Sequence, residues 1–109
     1  KPNVESYNSV IHAFAKRGNS ERAVQWLSKM EVAELEPDIV SYNVAMNAYA
    51  KRGDAKGAAQ WLANMEAAVL EPNVVSYSTG INAFAQQGDS KSAAGWLMKM
   101  EAAELRPNV

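Results

Sequence analysis

Apolar residues fall at helical spacing along the whole chain, in short runs broken at regular points. Tyr7, Val10, Ile11 and Phe14 stand at i, i+3, i+4 and i+7, which places them on one face of a helix. Tyr42, Ala45, Met46 and Tyr49 repeat that spacing, as do Tyr77, Gly80, Ile81 and Phe84. A second pattern, Ala23, Trp26, Leu27 and Met30, recurs as Ala58, Trp61, Leu62, Met65 and as Ala93, Trp96, Leu97, Met100. The spacing predicts six helices, near 4–17, 20–33, 39–52, 55–68, 74–87 and 90–103.

The breaks between runs agree with this reading. Pro37 and Pro72 stop the preceding helix, since proline lacks an N–H and its ring clashes with the turn before it. Asp38 and Asn73 then stand where an N-cap is needed. Gly18, Gly53 and Gly88 close the first helix of each pair, where the chain usually turns through a left-handed residue. Asn19, Asp54 and Asp89 follow as caps for the second helix.

Every feature recurs after 35 residues: Pro2, Pro37, Pro72 and Pro107 mark the step. A constant period in this range is the mark of a stacked array of helical hairpins. Three units result, residues 4–38, 39–73 and 74–108. Residues 1–3 read as the tail of a preceding repeat and Val109 as the start of a following one, so the chain reads as an internal slice of a longer array. One hairpin cannot bury both of its apolar faces, whereas stacking in register buries them between neighbours. The expected fold is therefore an all-α, right-handed superhelical solenoid of helix-turn-helix hairpins. Trp26, Trp61, Trp96 and the methionines are expected to be structural.

Composition narrows the functional classes. The 109 residues are 48% apolar with charges of both signs, which argues against disorder. There is no cysteine, which excludes disulfides and thiol chemistry, and no run nears the roughly 20 apolar residues that cross a bilayer. No signal or transit segment is visible, and the chain opens at Lys1. His12 is the only histidine. With no acid–base pair of carboxylates, no glycine-rich loop after a strand and no metal-ligand cluster, neither an enzyme nor a bound cofactor is expected. The formal net charge of −1 lacks the footprint of a dedicated nucleic-acid binder. A basic pair does recur, Lys16-Arg17 and Lys51-Arg52, but the third unit has Gln86-Gln87.

Four matches together carry a family likeness: the opening Val4-Glu5-Ser6-Tyr7-Asn8, the helix end Lys16-Arg17-Gly18, the second-helix set Ala23, Trp26, Leu27, Met30, and the close Leu35-Glu36-Pro37-Asp38. Over essentially its whole length the chain resembles the pentatricopeptide repeat family of 35-residue hairpins. The resemblance implies modular binding of single-stranded RNA in mitochondria or chloroplasts, one base being read per repeat by two or three side chains. It implies reading pairs Asn8 with Asp38, Asn43 with Asn73, and Ser78 with Asn108, favouring U, then C or U, then A. It makes Val40 and Val75 the apolar flanks of a base, and Lys16, Arg17, Lys51 and Arg52 candidates for phosphate contact. In the first unit Glu5 takes the flanking place, where a carboxylate stacks poorly and repels phosphate.

Amide and hydroxyl side chains both donate and accept, as base reading requires. Asp38, Asn73 and Asn108 also suit helix capping, and Asn8 and Asn43 also suit plain exposed positions. Three bases at roughly 1–3 kcal/mol each stand against an association cost of about 4–15 kcal/mol, so three repeats alone are expected to bind RNA weakly or not at all. The competing expectation is a non-catalytic scaffold that grips protein subunits of a large organellar complex. Near-neutral charge, Glu5, and Glu31, Glu66 and Glu101 along the second helices suit it.

Overall fold

The computed structural model describes residues 3–103. Within them lie six α-helices of 13 residues: α1 (Val4–Lys16), α2 (Ser20–Val32), α3 (Ile39–Lys51), α4 (Ala55–Ala67), α5 (Val74–Gln86) and α6 (Ser90–Ala102). Among the described residues there is no strand. Expected boundaries shift by one residue only, because Arg17, Ala33, Arg52, Ala68, Gln87 and Ala103 are C-caps rather than last helical residues.

Each start has a side-chain cap. Asn3, Asp38 and Asn73 accept the N–H of Ser6, Ser41 and Ser76. Asn19, Asp54 and Asp89 accept from Arg22, Gly57 and Ser92. Each such cap satisfies a donor that the helix itself leaves unpaired. The first helices end on Gly18, Gly53 and Gly88 at φ of 70°, 81° and 75°. The following residue then bonds back into the helix: Asn19 N–H to Phe14 O at 3.0 Å, Asp54 to Tyr49 at 2.9 Å, Asp89 to Phe84 at 2.9 Å.

Helices α2 and α4 end on the same bond without a glycine. Leu35 N–H reaches Met30 O at 3.0 Å and Leu70 reaches Met65 at 3.1 Å, which puts Glu34 and Val69 at φ 61°. The left-handed region costs an L-residue roughly 1–2 kcal/mol, and a β-branched side chain is the least suited to it. Val69 is 90% exposed, so it buries nothing in return. Val69→Gly is therefore expected to stabilise the chain by about 1 kcal/mol after glycine's own entropy cost. In thermal unfolding that reads as a rise of roughly 4 °C or more.

The hairpins are α1–α2, α3–α4 and α5–α6. Helix α1 lies along α3, and α3 along α5, while α2 touches α3 and α4 touches α5. The backbones of α2 and α4, and those of α4 and α6, stay apart. The first helices thus form a continuous wall and the second helices spread behind it, which bends the stack so that α1, α3 and α5 line the concave side.

Seams between hairpins hold the core. Ile11, Ala15, Ala23, Leu27 and Met30 pack with Ala45 and Ala48 of the second hairpin. Met46, Leu62 and Met65 pack with Tyr77 and Met100 of the third. Met30, Met65 and Met100 are wholly buried. The tryptophans are structural, as expected, but half-buried rather than enclosed. Each lies against the tyrosine of its own hairpin, with ring centroids 5.8–6.2 Å apart. Trp61 packs against both the first and the second of these clusters. Burial raises the pKa of Tyr42 and Tyr77, helped by the carboxylates of Glu31 and Glu66 from the preceding hairpin.

Candidate nucleic-acid interface

On α3, Val40, Asn43, Asn47 and Lys51 stand at i, i+3, i+7 and i+11, which is one face of the helix. Their counterparts are Glu5, Asn8, His12 and Lys16 on α1, and Val75, Ser78, Asn82 and Gln86 on α5. The concave wall therefore carries four rows, from the helix starts to their ends.

Two clefts open on it. Glu5, Asn8, Ser9, His12, Asp38, Val40 and Val44 line one of about 380 Å³ between the first two hairpins. It brings together the first expected reading pair, its expected apolar flank and the unfavourable Glu5. The other, of about 510 Å³, crosses the ends of the three first helices and is lined by Lys16, Arg17, Lys51, Asn47, Asn82 and Gln86 among others. Val40 and Val75 are 54% and 53% exposed, an unusual position for valine on the first turn of a helix.

Two of the three expected reading pairs are joined by hydrogen bonds. The Asn8 amide donates to Asp38 Oδ1 at 3.2 Å, and Asn43 donates to Asn73 Oδ1 at 3.1 Å. The acceptor in each case is the same oxygen that caps the next helix, receiving Ser41 N–H at 3.0 Å and Ser76 N–H at 3.1 Å. Capping and side-chain pairing are thus one arrangement. Ser41 and Ser76 complete it: their hydroxyls accept the cap's own N–H at 3.1 Å and donate back to Oδ1 of Asn8 and Asn43. Asn43 is 8% exposed, and both serines are fully buried. Ser78 is half-buried; its expected partner Asn108 lies outside the described residues, as do residues 1 and 2, Leu105 and Val109.

The repeat of these serines was visible in the sequence, but no role followed from it. The third helical position of a capping box is usually Glu or Gln, and serine there carries no signal until the neighbouring hairpin is in place. The basic residues divide. Lys16, Arg17 and Lys51 line the larger cleft. Arg52 donates to Ser20 Oγ at 2.7 Å and lies 5.8 Å from the Tyr49 ring, so it ties the second hairpin to the first. Gln87 does the same for the third hairpin by donating to the Gly53 carbonyl.

Burial pushes the Asp38 carboxyl up, but the Ser41 N–H, the Asn8 amide and the Ser41 hydroxyl together outweigh it and hold the group below its ordinary value. A carboxyl lowered in the folded state contributes stability above its unfolded pKa and loses it as pH falls through the folded value. Stability is therefore expected to fall below about pH 4. Asp38→Asn flattens that acid limb when unfolding is measured between pH 5 and 2.

Among the described residues no group of His, Cys, Asp and Glu is arranged to hold a metal ion, and no helix is long and apolar enough to cross a membrane. The fold and its rows of repeated polar side chains define an α-solenoid with a periodic polar face. Family models for the PPR repeat match residues 2–46, 37–86 and 75–105, and the chain belongs to the pentatricopeptide repeat family. It is similar to maize PPR10, with 28% identity and a TM-score of 0.86 over 99% of this chain. It is also similar to PPR10 in complex with an 18-nt psaJ RNA element, at 32% identity and a TM-score of 0.88 over 98%. In both, the chain spans 16% of the length of that protein. The PPR domain of Arabidopsis thaliana protein-only RNase P 1, solved with tRNA, shares the fold at a TM-score of 0.80 and 16% identity, over 99% of this chain and 56% of that one. No curated protein sequence matches the chain significantly.

Proposed function

We propose that this chain is a modular single-stranded RNA-binding array, reading one base at each hairpin boundary, within an organellar RNA-processing or expression factor. The carrying observation is the donor and acceptor pattern that the hydrogen bonds leave free. At the first boundary one Asn8 amide hydrogen and the second Asp38 oxygen are uncommitted. A donor beside an acceptor suits uracil, whose N3–H lies between two carbonyl oxygens. At the second boundary one Asn43 hydrogen and the Asn73 amide nitrogen are uncommitted. Two donors suit cytosine, whose N3 and O2 both accept. These are the preferences that the family resemblance implies for the two pairs. The RNA complex of PPR10 supports the reading, and the mitochondrial or chloroplast setting rests on the family.

Val40 and Val75 supply apolar flanks, while Lys16, Arg17 and Lys51 supply cations near the backbone path. Glu5 weakens the first cleft. The chain does no chemistry in this reading; it holds a strand. Titration with pyrimidine oligoribonucleotides is expected to show weak, saturable binding. Three cations on a single strand give a slope of log affinity against log salt of about −2. Binding that ignores salt, or that a protein partner alone produces, counts against RNA.

A further inference from the structure

An asparagine amide turned through 180° exchanges a donor for an acceptor, so a reading asparagine specifies a base only if its orientation is held. We propose that Ser41 and Ser76 are positioning residues that hold Asn8 and Asn43 with the N–H toward the base. The proposal rests on the RNA reading above.

The chain of constraints starts at the backbone. Ser76 N–H donates to Asn73 Oδ1 at 3.1 Å, which fixes the carbonyl end of Asn73 against the helix start. The Asn43 amide nitrogen donates to that oxygen at 3.1 Å. The Ser76 hydroxyl accepts Asn73 N–H, lies 3.1 Å from Asn73 Oδ1 and 3.8 Å from Met65 Sδ, and donates to Asn43 Oδ1. A hydroxyl has one proton. Asn73 Oδ1 already receives two donors, whereas Asn43 Oδ1 has no other, so the proton goes to Asn43. Turning Asn43 over would set its carbonyl against Asn73 Oδ1, acceptor to acceptor, and strip its buried oxygen of a donor.

The first boundary repeats this. Ser41 Oγ donates to Asn8 Oδ1, and Asn8 donates to Asp38 Oδ1 at 3.2 Å, so the turned amide would face a carboxylate. Ser6 stands in the same register on α1 but is exposed, and its hydroxyl donates to its own cap Asn3 at 3.1 Å. The serine becomes an amide lock only where a preceding hairpin offers an asparagine. One hydroxyl thus ties the helix start, the hairpin seam and the reading residue together.

The test compares wild type with Ser76→Ala and with Ser76→Thr, which restores the hydroxyl. Side-chain amide hydrogen exchange of Asn43 is read by NMR in the free protein. The affinity ratio for oligoribonucleotides with C or A facing the second unit is read in parallel. Expected are slow exchange relative to the exposed Asn19 in wild type and Ser76→Thr, and its loss in Ser76→Ala. The C-over-A ratio should fall by about tenfold in Ser76→Ala and recover in Ser76→Thr. Ser41→Ala, at the more open boundary, gives the same readouts at Asn8 if Ser76→Ala does not fold. A folded alanine variant with unchanged exchange, or with an unchanged ratio, overturns the proposal. A wild-type chain that binds no oligonucleotide overturns the RNA reading and the specificity role with it, and the exchange data then show separately whether the hydroxyl holds the amide.

Discussion

Met65→Ala is expected to cost about 2–5 kcal/mol and to uncouple the third hairpin from the second. Met65 is wholly buried between α4 and the next hairpin, in one cluster with Leu62, Tyr77 and Met100. Its sulfur lies 3.8 Å below the Ser76 hydroxyl, so the cavity opens under the polar seam as well. In a stacked array, stability is the sum of hairpin terms and nearest-neighbour interface terms. Against a total of about 5–15 kcal/mol, a loss of this size at one interface is large. The backbone amides of α5 and α6 should lose hydrogen-exchange protection at denaturant concentrations where α1 to α3 keep theirs. Uniform loss across all six helices would show instead that the chain unfolds as one unit.

Exchanging the two cap residues is expected to exchange base preference. Asp38→Asn replaces the free acceptor at the first boundary by a donor, and its preference moves from U toward C. Asn73→Asp does the reverse at the second. A well-placed pair of hydrogen bonds is worth about 1–3 kcal/mol of discrimination, so each shift is roughly tenfold to a hundredfold in relative affinity. Asn and Asp are nearly equal as N-caps, so folding near neutral pH should change little. That separates reading from stability. Two folded variants that keep the wild-type preferences would remove Asp38 and Asn73 from the site.

Much of this molecule is legible in its sequence because its signals are local and repeated. The period of 35, the caps Asp38 and Asn73, and the glycines at φ above 70° or near it each act within a turn or two of their own position. The class of fold follows, and so does the wall that carries Asn8, Asn43 and Ser78. What was hidden depends on the neighbouring hairpin. Ser41 and Ser76 look like ordinary polar residues until the preceding asparagine arrives against them. Arg52 resembles a phosphate ligand until Ser20 is seen to take its guanidinium. The left-handed Val69 runs against its own propensity, because the bond from Leu70 to Met65 fixes the turn whatever residue occupies it. Leu97 shows the same dependence. It is 37% exposed, whereas Leu27 and Leu62 in the same register are 2% exposed beneath the next hairpin.

In the proposed function the concave wall holds RNA through Asn8 and Asn43. The direct measurement is a titration of the side-chain amide resonances of both residues with short oligoribonucleotides of U, C or A. Both are expected to shift and saturate with the same affinity as the backbone amides around Val40 and Val75, with U favoured at Asn8 and C at Asn43. Resonances that stay still while shifts gather on α2, α4 and α6 would place the ligand on the opposite side and contradict it.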